Sequence, residues 1–203
     1  MHGLINRTIQ SFVSDTYGVS CWRGIAQQAD LGFSDFEAML QYEAAMTEQV
    51  LAAAVKVLSK PREVILEDIG TYLVSHPNTE ALRRLMRFGG VDFIEFLHSL
   101  DDLPDRARLA VPDLDLPALE LRDFSSNRFA LICSGSVDGF GHVLVGVLRA
   151  MADDYGALVI LEHEGKALEG GDLIMIHVIQ TAYAKGRTFD LGAVPSERRA
   201  VLP

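Results

Sequence analysis

Along the first half of the chain, apolar residues recur three and four positions apart, the spacing that lays a stripe on one face of a helix. Leu4, Ile5, Ile9, Phe12 and Val13 form one such stripe, which runs out at Tyr17-Gly18, where glycine suits a left-handed helix end. Residues 22–29 predict a second, short helix. Residues 36–58 predict the longest, with Leu40, Ala44, Thr47, Leu51, Ala54 and Leu58 on its inner face and Pro61 following it. A fourth helix spans 62–75 and is closed by His76-Pro77-Asn78; a fifth, over 79–88, runs into Gly89-Gly90. Residues 91–103 give a sixth, with Val91, Ile94, Leu97, Leu100 and Leu103 on one face. Pro104 ends it or starts a new turn, because proline offers no N–H to the Leu100 carbonyl.

From about residue 112 the period changes. Pro112 and Pro117 punctuate a linker, Phe124 to Arg128 reads as a polar loop, and residues 129–134 (FALICS) form a compact apolar run of strand length. A turn through Gly135, Gly139 and Gly141 leads to a helix over 142–155 that stops at Gly156. Residues 157–162 and 172–179 predict two further strands, joined by a turn through Gly165 and Gly170-Gly171. The fold class is α+β: one domain over 1–178, with a helical layer (1–110) packed on an α/β part (111–178). Residues 179–203, with Lys185, Arg187, Arg198 and Arg199, read as a loosely attached, locally basic tail.

Composition narrows the function classes without choosing among them. With 203 residues, 49% of them hydrophobic, 23% charged and two cysteines, the chain is neither disordered nor a disulfide scaffold. A core of this size removes roughly 70% of the unfolded surface from water, so folding needs no metal. Cys21 and Cys133 are expected to be reduced thiols of a cytoplasmic protein. The formal charge of −10 repels phosphate backbones and anionic lipid, which argues against nucleic-acid and membrane partners. No basic leader precedes an apolar core, and no apolar run approaches the roughly 18 residues that cross a bilayer.

Several constellations invite chemical readings, each with a plainer alternative. Gly139-Phe140-Gly141 precedes a helix but lacks the third glycine of a dinucleotide fingerprint, so it reads as a strand-to-helix turn. His163, Glu164 and His177 could share a metal across neighbouring strands, yet a third ligand is missing and edge histidines account for them. Cys133 or Ser134 or Ser136 beside His142 lacks the strand-turn-helix context of an activated nucleophile. Asp101, Asp102 and Asp105 read as a solvated face. The chain is therefore read as non-enzymatic, with no catalytic residue.

The ordered series of segments is similar to the haem-nitric oxide/oxygen binding (H-NOX) family, the fold of bacterial gas sensors and of the regulatory domain of soluble guanylate cyclase. MHGLINRTIQSFVSDTYG at the start, the helix around Trp22-Arg23-Gly24, YEAAMTEQVLAAAVKVL over 42–58, LRRLMRFGG with FIEFLHSLDDL over 82–103, the pair Pro112 and Pro117, and GHVLVGVLRAMADDYG over 141–156 carry the resemblance. It implies an antiparallel sheet beneath the helical layer, with haem between them and one proximal histidine on the iron. That histidine ends a Phe-Leu-x-x-Leu-Asp-x-Leu-His pattern, and here Phe96-Leu97 to Leu103 is followed by Pro104.

His98 is the nearest substitute, but six residues of helix turn it about 120° away and about 9 Å along the axis. The family's Tyr-x-Ser-x-Arg motif, which holds the haem propionates, falls by register on Cys133, Gly135 and Val137, and Phe124 to Arg128 only imitates it. Distal positions fall on Val143 and Ile9, so a retained haem would favour nitric oxide over oxygen. The expected pocket lining is Ile5, Ile9, Leu73, Pro104, Pro117, Val143, Leu144 and Leu148. The resemblance thus implies a sensory domain without haem in the family's manner, working with a signalling partner such as a histidine kinase or a cyclic-dinucleotide enzyme. The alternatives are a haem sensor using His98, His76 or Cys133 as ligand, and a binding module for a small apolar molecule in the vacated pocket.

Overall fold

The computed structural model describes residues 1–135, 138–167 and 170–189. Helices α1 (Gly3–Tyr17) and α2 (Val19–Gln28) are separated by Gly18 alone, whose φ of 93° lets the chain reverse without a loop. The His2 Nδ1 accepts the Leu4 N–H at 3.1 Å and so caps α1. Helix α3 covers Ala44–Leu58 and α4 covers Arg62–Ser75, the latter begun after Pro61. A 3-10 turn, Pro77–Thr79, leads into α5 (Glu80–Arg87), and α6 (Phe93–His98) and α7 (Leu103–Ala110) follow.

The second half supplies β1 (Ala118–Ser125), β2 (Arg128–Ser134), α8 (Phe140–Tyr155), β3 (Leu158–Lys166) and β4 (Asp172–Gln180). The four strands form one antiparallel sheet in the order β1-β2-β4-β3, with α8 packed on its inner face. The α+β architecture of the sequence analysis therefore holds.

Two apolar cores divide the molecule. One lies among α1 to α4 and includes Phe12, Trp22, Ile25, Val50 and Ile65; the other lies between α6, α8 and the sheet, with Phe93, Phe96, Leu131, Leu148 and Ile174. Helices α4 and α8 join the two halves at a close crossing, where Gly70 faces the Val143 carbonyl and Gly146 faces that of Glu67.

Five local predictions need correction. Residues 36–43 are not helical: Gly3 donates to the Leu40 carbonyl at 2.7 Å and Tyr42 to that of Met1 at 2.9 Å, so this stretch pairs with the chain start and leaves Leu40 54% exposed. The helix over 91–103 is two helices. Asp92 caps the helix by accepting the Glu95 N–H while Glu95 reaches back to the Val91 N–H, both at 2.9 Å, which sets the start at Phe93 and leaves Val91 in solvent. Pro104 sits in the first turn of α7, where its missing N–H costs nothing.

The linker hides β1, and Phe124 to Arg128 spans its end and the hairpin turn into β2. The tail is not loose at its beginning: Tyr183 and Ala184 donate to the Gly156 carbonyl and Arg187 to that of Asp154. Asp101 is more than a solvated acid, since its carboxylate accepts the Leu121 N–H at 2.8 Å and ties the α6–α7 turn to β1. Among the described residues, no helix is long and apolar enough to cross a membrane.

Candidate ligand cavity

A cavity of about 230 Å³ lies where the helical layer meets the second half of the chain. Helix α1 contributes Leu4, Ile5, Thr8 and Ile9 to its wall, and α4 contributes Leu66, Ile69 and Leu73. The far side is built by Leu82, Leu85 and Met86 of α5, by Leu103, Pro104 and Ala107 of α7, and by Pro117 and Leu119 at the start of β1. Phe140, Val143, Leu144 and Val147 of α8 close it. Each helix presents an i, i+3 or i+4 stripe, so the cavity is the meeting point of several apolar faces rather than a defect in one core.

Seven of the residues singled out in the sequence, Ile5, Ile9, Leu73, Pro104, Pro117, Val143 and Leu144, stand on this wall. Leu148 does not. It is fully buried in the sheet-side core, because it lies one residue, about 100°, past Val147 and so points at the strands.

Cys133 also packs in the sheet-side core, on β2, and burial, helped by the charge of Asp172, pushes its thiol up to about 12. A protonated, buried thiol is inert as a nucleophile. Gly135 lies against Pro117, so the anion-holding motif that the resemblance places here has no charged or hydroxyl side chain at either described position. Val137, like Ser136, lies outside the described residues.

The histidines are also elsewhere. His98 is half exposed, with Nε2 3.9 Å from an Asp123 oxygen and its ring edge-on to Phe129. His76 ends α4, where Nδ1 accepts the Asn78 N–H at 3.3 Å and the ring stacks on Tyr72.

The polar groups of the wall are already engaged. Thr8 Oγ1 donates to the Leu4 carbonyl at 2.9 Å and Thr47 Oγ1 to Asn6 Oδ1 at 2.7 Å. At the mouth, the Glu48 carboxylate accepts both terminal nitrogens of Arg62, at 2.7 and 2.9 Å, and Asp138 faces Lys166 at 3.5 Å. A guest gains burial from this wall and almost no hydrogen bonds, which selects against polar molecules.

A second, polar pocket of about 200 Å³ adjoins the first through Leu66 and Asp138. In it the rings of His142 and His163 stack 4.1 Å apart, His142 lies 3.6 Å from Glu67, and His163 lies 3.9 Å from Asp172. Burial and the neighbouring His142 hold His163 below the ordinary histidine range. Burial pushes Asp172 the other way, but Lys166 at 2.7 Å and the Gly141 N–H at 3.0 Å outweigh it and hold the carboxyl low.

The His163–His177 pairing weighed from sequence does not form. The register sets His177 opposite Ile160 and His163 opposite Ile174, which puts the two rings on opposite faces of the sheet. Among the described residues no cluster of three or more His, Cys, Asp or Glu can hold a metal. The stacked pair was not legible in sequence, where its members are 21 positions apart on different elements. The α5 wall had a signal: Leu82, Leu85 and Met86 are an apolar stripe on a helix whose other residues, Ala81 apart, are charged.

Comparison with known proteins places this geometry among relatives. The haem-NO-binding (HNOB) family model matches residues 2–163. Soluble guanylate cyclase 89Da of Drosophila melanogaster is 21% identical over 79% of this chain, and soluble guanylate cyclase gcy-31 of Caenorhabditis elegans is 23% identical over 76%. The chain spans about a quarter of the length of those curated relatives, 24% and 22% respectively. Among solved structures, the Fe(II) unliganded H-NOX protein of K. algicida superposes with a TM-score of 0.74 at 17% identity, over 91% of this chain and all of that one. The I5F mutant of the T. tengcongensis H-NOX protein gives 0.73 at 12% identity, over 89% of this chain and 99% of that one.

Proposed function

The chain belongs to the haem-NO-binding (HNOB) family, and from that premise we propose that it is a non-catalytic sensory domain whose cavity takes a compact apolar molecule and does not ligate haem iron. One observation carries the reading: Pro104, at the position the resemblance gives to the proximal histidine, faces the cavity with a side chain that has no donor atom.

Haem needs an iron ligand and a partner for its propionates. Among the described wall residues, the Met86 thioether is the one soft donor, and the charged groups are Glu48 and Asp138, which repel carboxylates. His98, His76 and Cys133 stand away from the wall. The residues present do not fit the cofactor.

Volume supports the same reading. An engineered cavity of about 150 Å³ holds benzene, so 230 Å³ suits a guest somewhat larger than one ring, far smaller than a tetrapyrrole. Left dry, a cavity of 230 Å³ costs on the order of 5 kcal/mol, a large share of a domain's stability, which an apolar guest recovers in part.

A haem sensor with an unconventional ligand is the second reading, and the feature that favours it is Met86, since thioethers ligate haem iron in cytochromes. The output in either case passes to a signalling protein, a histidine kinase or cyclic-dinucleotide enzyme by resemblance. The two free cysteines are consistent with the reducing conditions of the cytoplasm.

Expression with haem supplied, followed by a visible absorption spectrum, tests the proposal. It expects no stoichiometric Soret band. A full band that shifts with nitric oxide and is lost in Met86→Leu would establish the second reading instead.

A further inference from the structure

The C-terminal end of α8 carries a carboxylate that the cavity does not use. The Asp154 side chain is fully buried, and three guanidinium groups converge on it. Arg83 Nε donates to Oδ1 at 2.8 Å, Arg87 Nε lies 3.4 Å from Oδ2, and Arg187 Nε lies 3.7 Å from Oδ1.

The same place fastens residues 183–189. Arg187 N–H donates to the Asp154 carbonyl at 2.9 Å, and the Tyr183 and Ala184 N–H groups donate to that of Gly156 at 2.9 and 3.0 Å. From α5, Arg83 Nη2 reaches the Thr188 carbonyl at 3.1 Å, and the Arg87 guanidinium lies 3.7 Å from the Tyr155 ring centre and 5.3 Å from that of Phe189. These residues form a strap held by α5 on one side and α8 on the other.

Arg83 and Arg87 share a two-turn helix with the cavity wall. At about 100° per residue, the Arg83–Arg87 face lies about 100° round α5 from the Leu82–Met86 face. A helix this short moves as one body, so displacement of the wall is displacement of the guanidiniums. The junction is also incompletely bonded: Arg87 Nε and Nη1 and Asp154 Oδ2 have charge partners but no hydrogen bond of proper geometry. A buried charge network that is only partly hydrogen-bonded is held less firmly than a fully satisfied one.

We propose that α5 couples occupancy of the cavity to docking of the strap. A guest packed between α5 and α8 presses on Leu82 and Met86, shifts α5 along Leu144 and Val147, draws Arg83 off Asp154 and Thr188, and frees residues 183–189. The inference rests on the ligand-binding reading above, and adds to it the route by which a filled cavity changes the surface offered to a partner.

Hydrogen exchange of the full chain reads the strap directly, through the amides of Tyr183, Ala184 and Arg187. The probe is ethylbenzene, with its binding followed separately by calorimetry. Met86→Trp and Leu85→Trp fill the same space without a guest. The proposal expects those three amides to exchange about tenfold faster in saturating ethylbenzene and in the folded tryptophan variants, with the central amides of α8 unchanged. In Arg83→Met it expects fast exchange with or without ethylbenzene. Bound ethylbenzene with unchanged strap exchange overturns the coupling, and so does a folded tryptophan variant that exchanges at the wild-type rate. Should ethylbenzene not bind, the apolar-guest reading fails, and the tryptophan variants decide the coupling by themselves.

Discussion

Gly70 of α4 and Gly146 of α8 lie back to back at the helix crossing: a Cβ on Gly70 would sit 2.0 Å from the Val143 carbonyl oxygen, and one on Gly146 2.0 Å from that of Glu67. No side chain can yield there, because both obstacles are backbone. The crossing sets the depth of the cavity, since Val143 and Val147 flank Gly146 on the wall.

Gly146→Ala therefore forces the helices apart and is expected to destabilise the fold by about 3 kcal/mol, at the upper end of overpacking costs, although alanine favours helix. Chemical denaturation measures it. A variant as stable as the wild type would mean the crossing relaxes freely.

Cavity and core respond oppositely to changes in volume. Ala107→Leu adds atoms to the open space, and is expected to raise the melting temperature by a few degrees and weaken ethylbenzene binding at least tenfold. Leu148→Ala opens a new void in the sheet-side core and costs about 2–5 kcal/mol, with little change in binding. Calorimetry on both variants separates the two roles; equal effects on binding would place Leu148 on the cavity wall.

Acid should loosen the α8–β3 contact. Burial and His142 hold His163 below its ordinary 6.5, so the unfolded chain binds the proton more readily than the folded one. Its contribution to stability is thus complete at neutral pH and is lost as pH falls below about 6.5, by less than about 1.4 kcal/mol per pH unit. Asp172, held low, adds its loss only in more acidic solution, through and below the carboxylate range. In His163→Phe, which keeps a ring against His142, stability between pH 6.5 and 5 should fall less steeply than in the wild type. Parallel curves from denaturant titrations would show that His163 does not carry the acid loss.

Cys133, protonated and 4% exposed, should be alkylated by iodoacetamide at a rate set by unfolding. Half-buried Cys21 should react faster in the native protein. Mass spectrometry of peptides after timed labelling distinguishes them, and equal rates would place Cys133 outside the core.

The order of helices and strands was largely legible in the sequence because its boundaries are marked locally. Helix α4 runs between Pro61 and His76-Pro77, and α8 ends at Gly156 with positive φ. Strand β1 was hidden because Leu119 and Leu121 alternate within a mostly polar run and only one face meets the core. Residues 36–43 mimic helical spacing, but their hydrogen bonds go to the chain start, a long-range fact that periodicity does not carry.

At the cavity, the contributing elements were readable from apolar stripes, whereas Leu144 and Leu148 share one stripe and part only at the layer boundary. The strap was invisible for a similar reason. Asp154 gathers Arg83, Arg87 and Arg187 from separate stretches of chain.

The central claim, that this family member has a ligand cavity without an iron ligand, is tested most directly by hemin titration of the wild type beside Pro104→His. An imidazole at position 104 restores a donor to the wall without disturbing Cys133 or Gly135, both of which are tightly packed. No saturable Soret band is expected for the wild type, and only a weak, sub-stoichiometric one for Pro104→His, which still lacks a partner for the propionates. A stoichiometric band in the wild type, unchanged by the substitution, would contradict the claim.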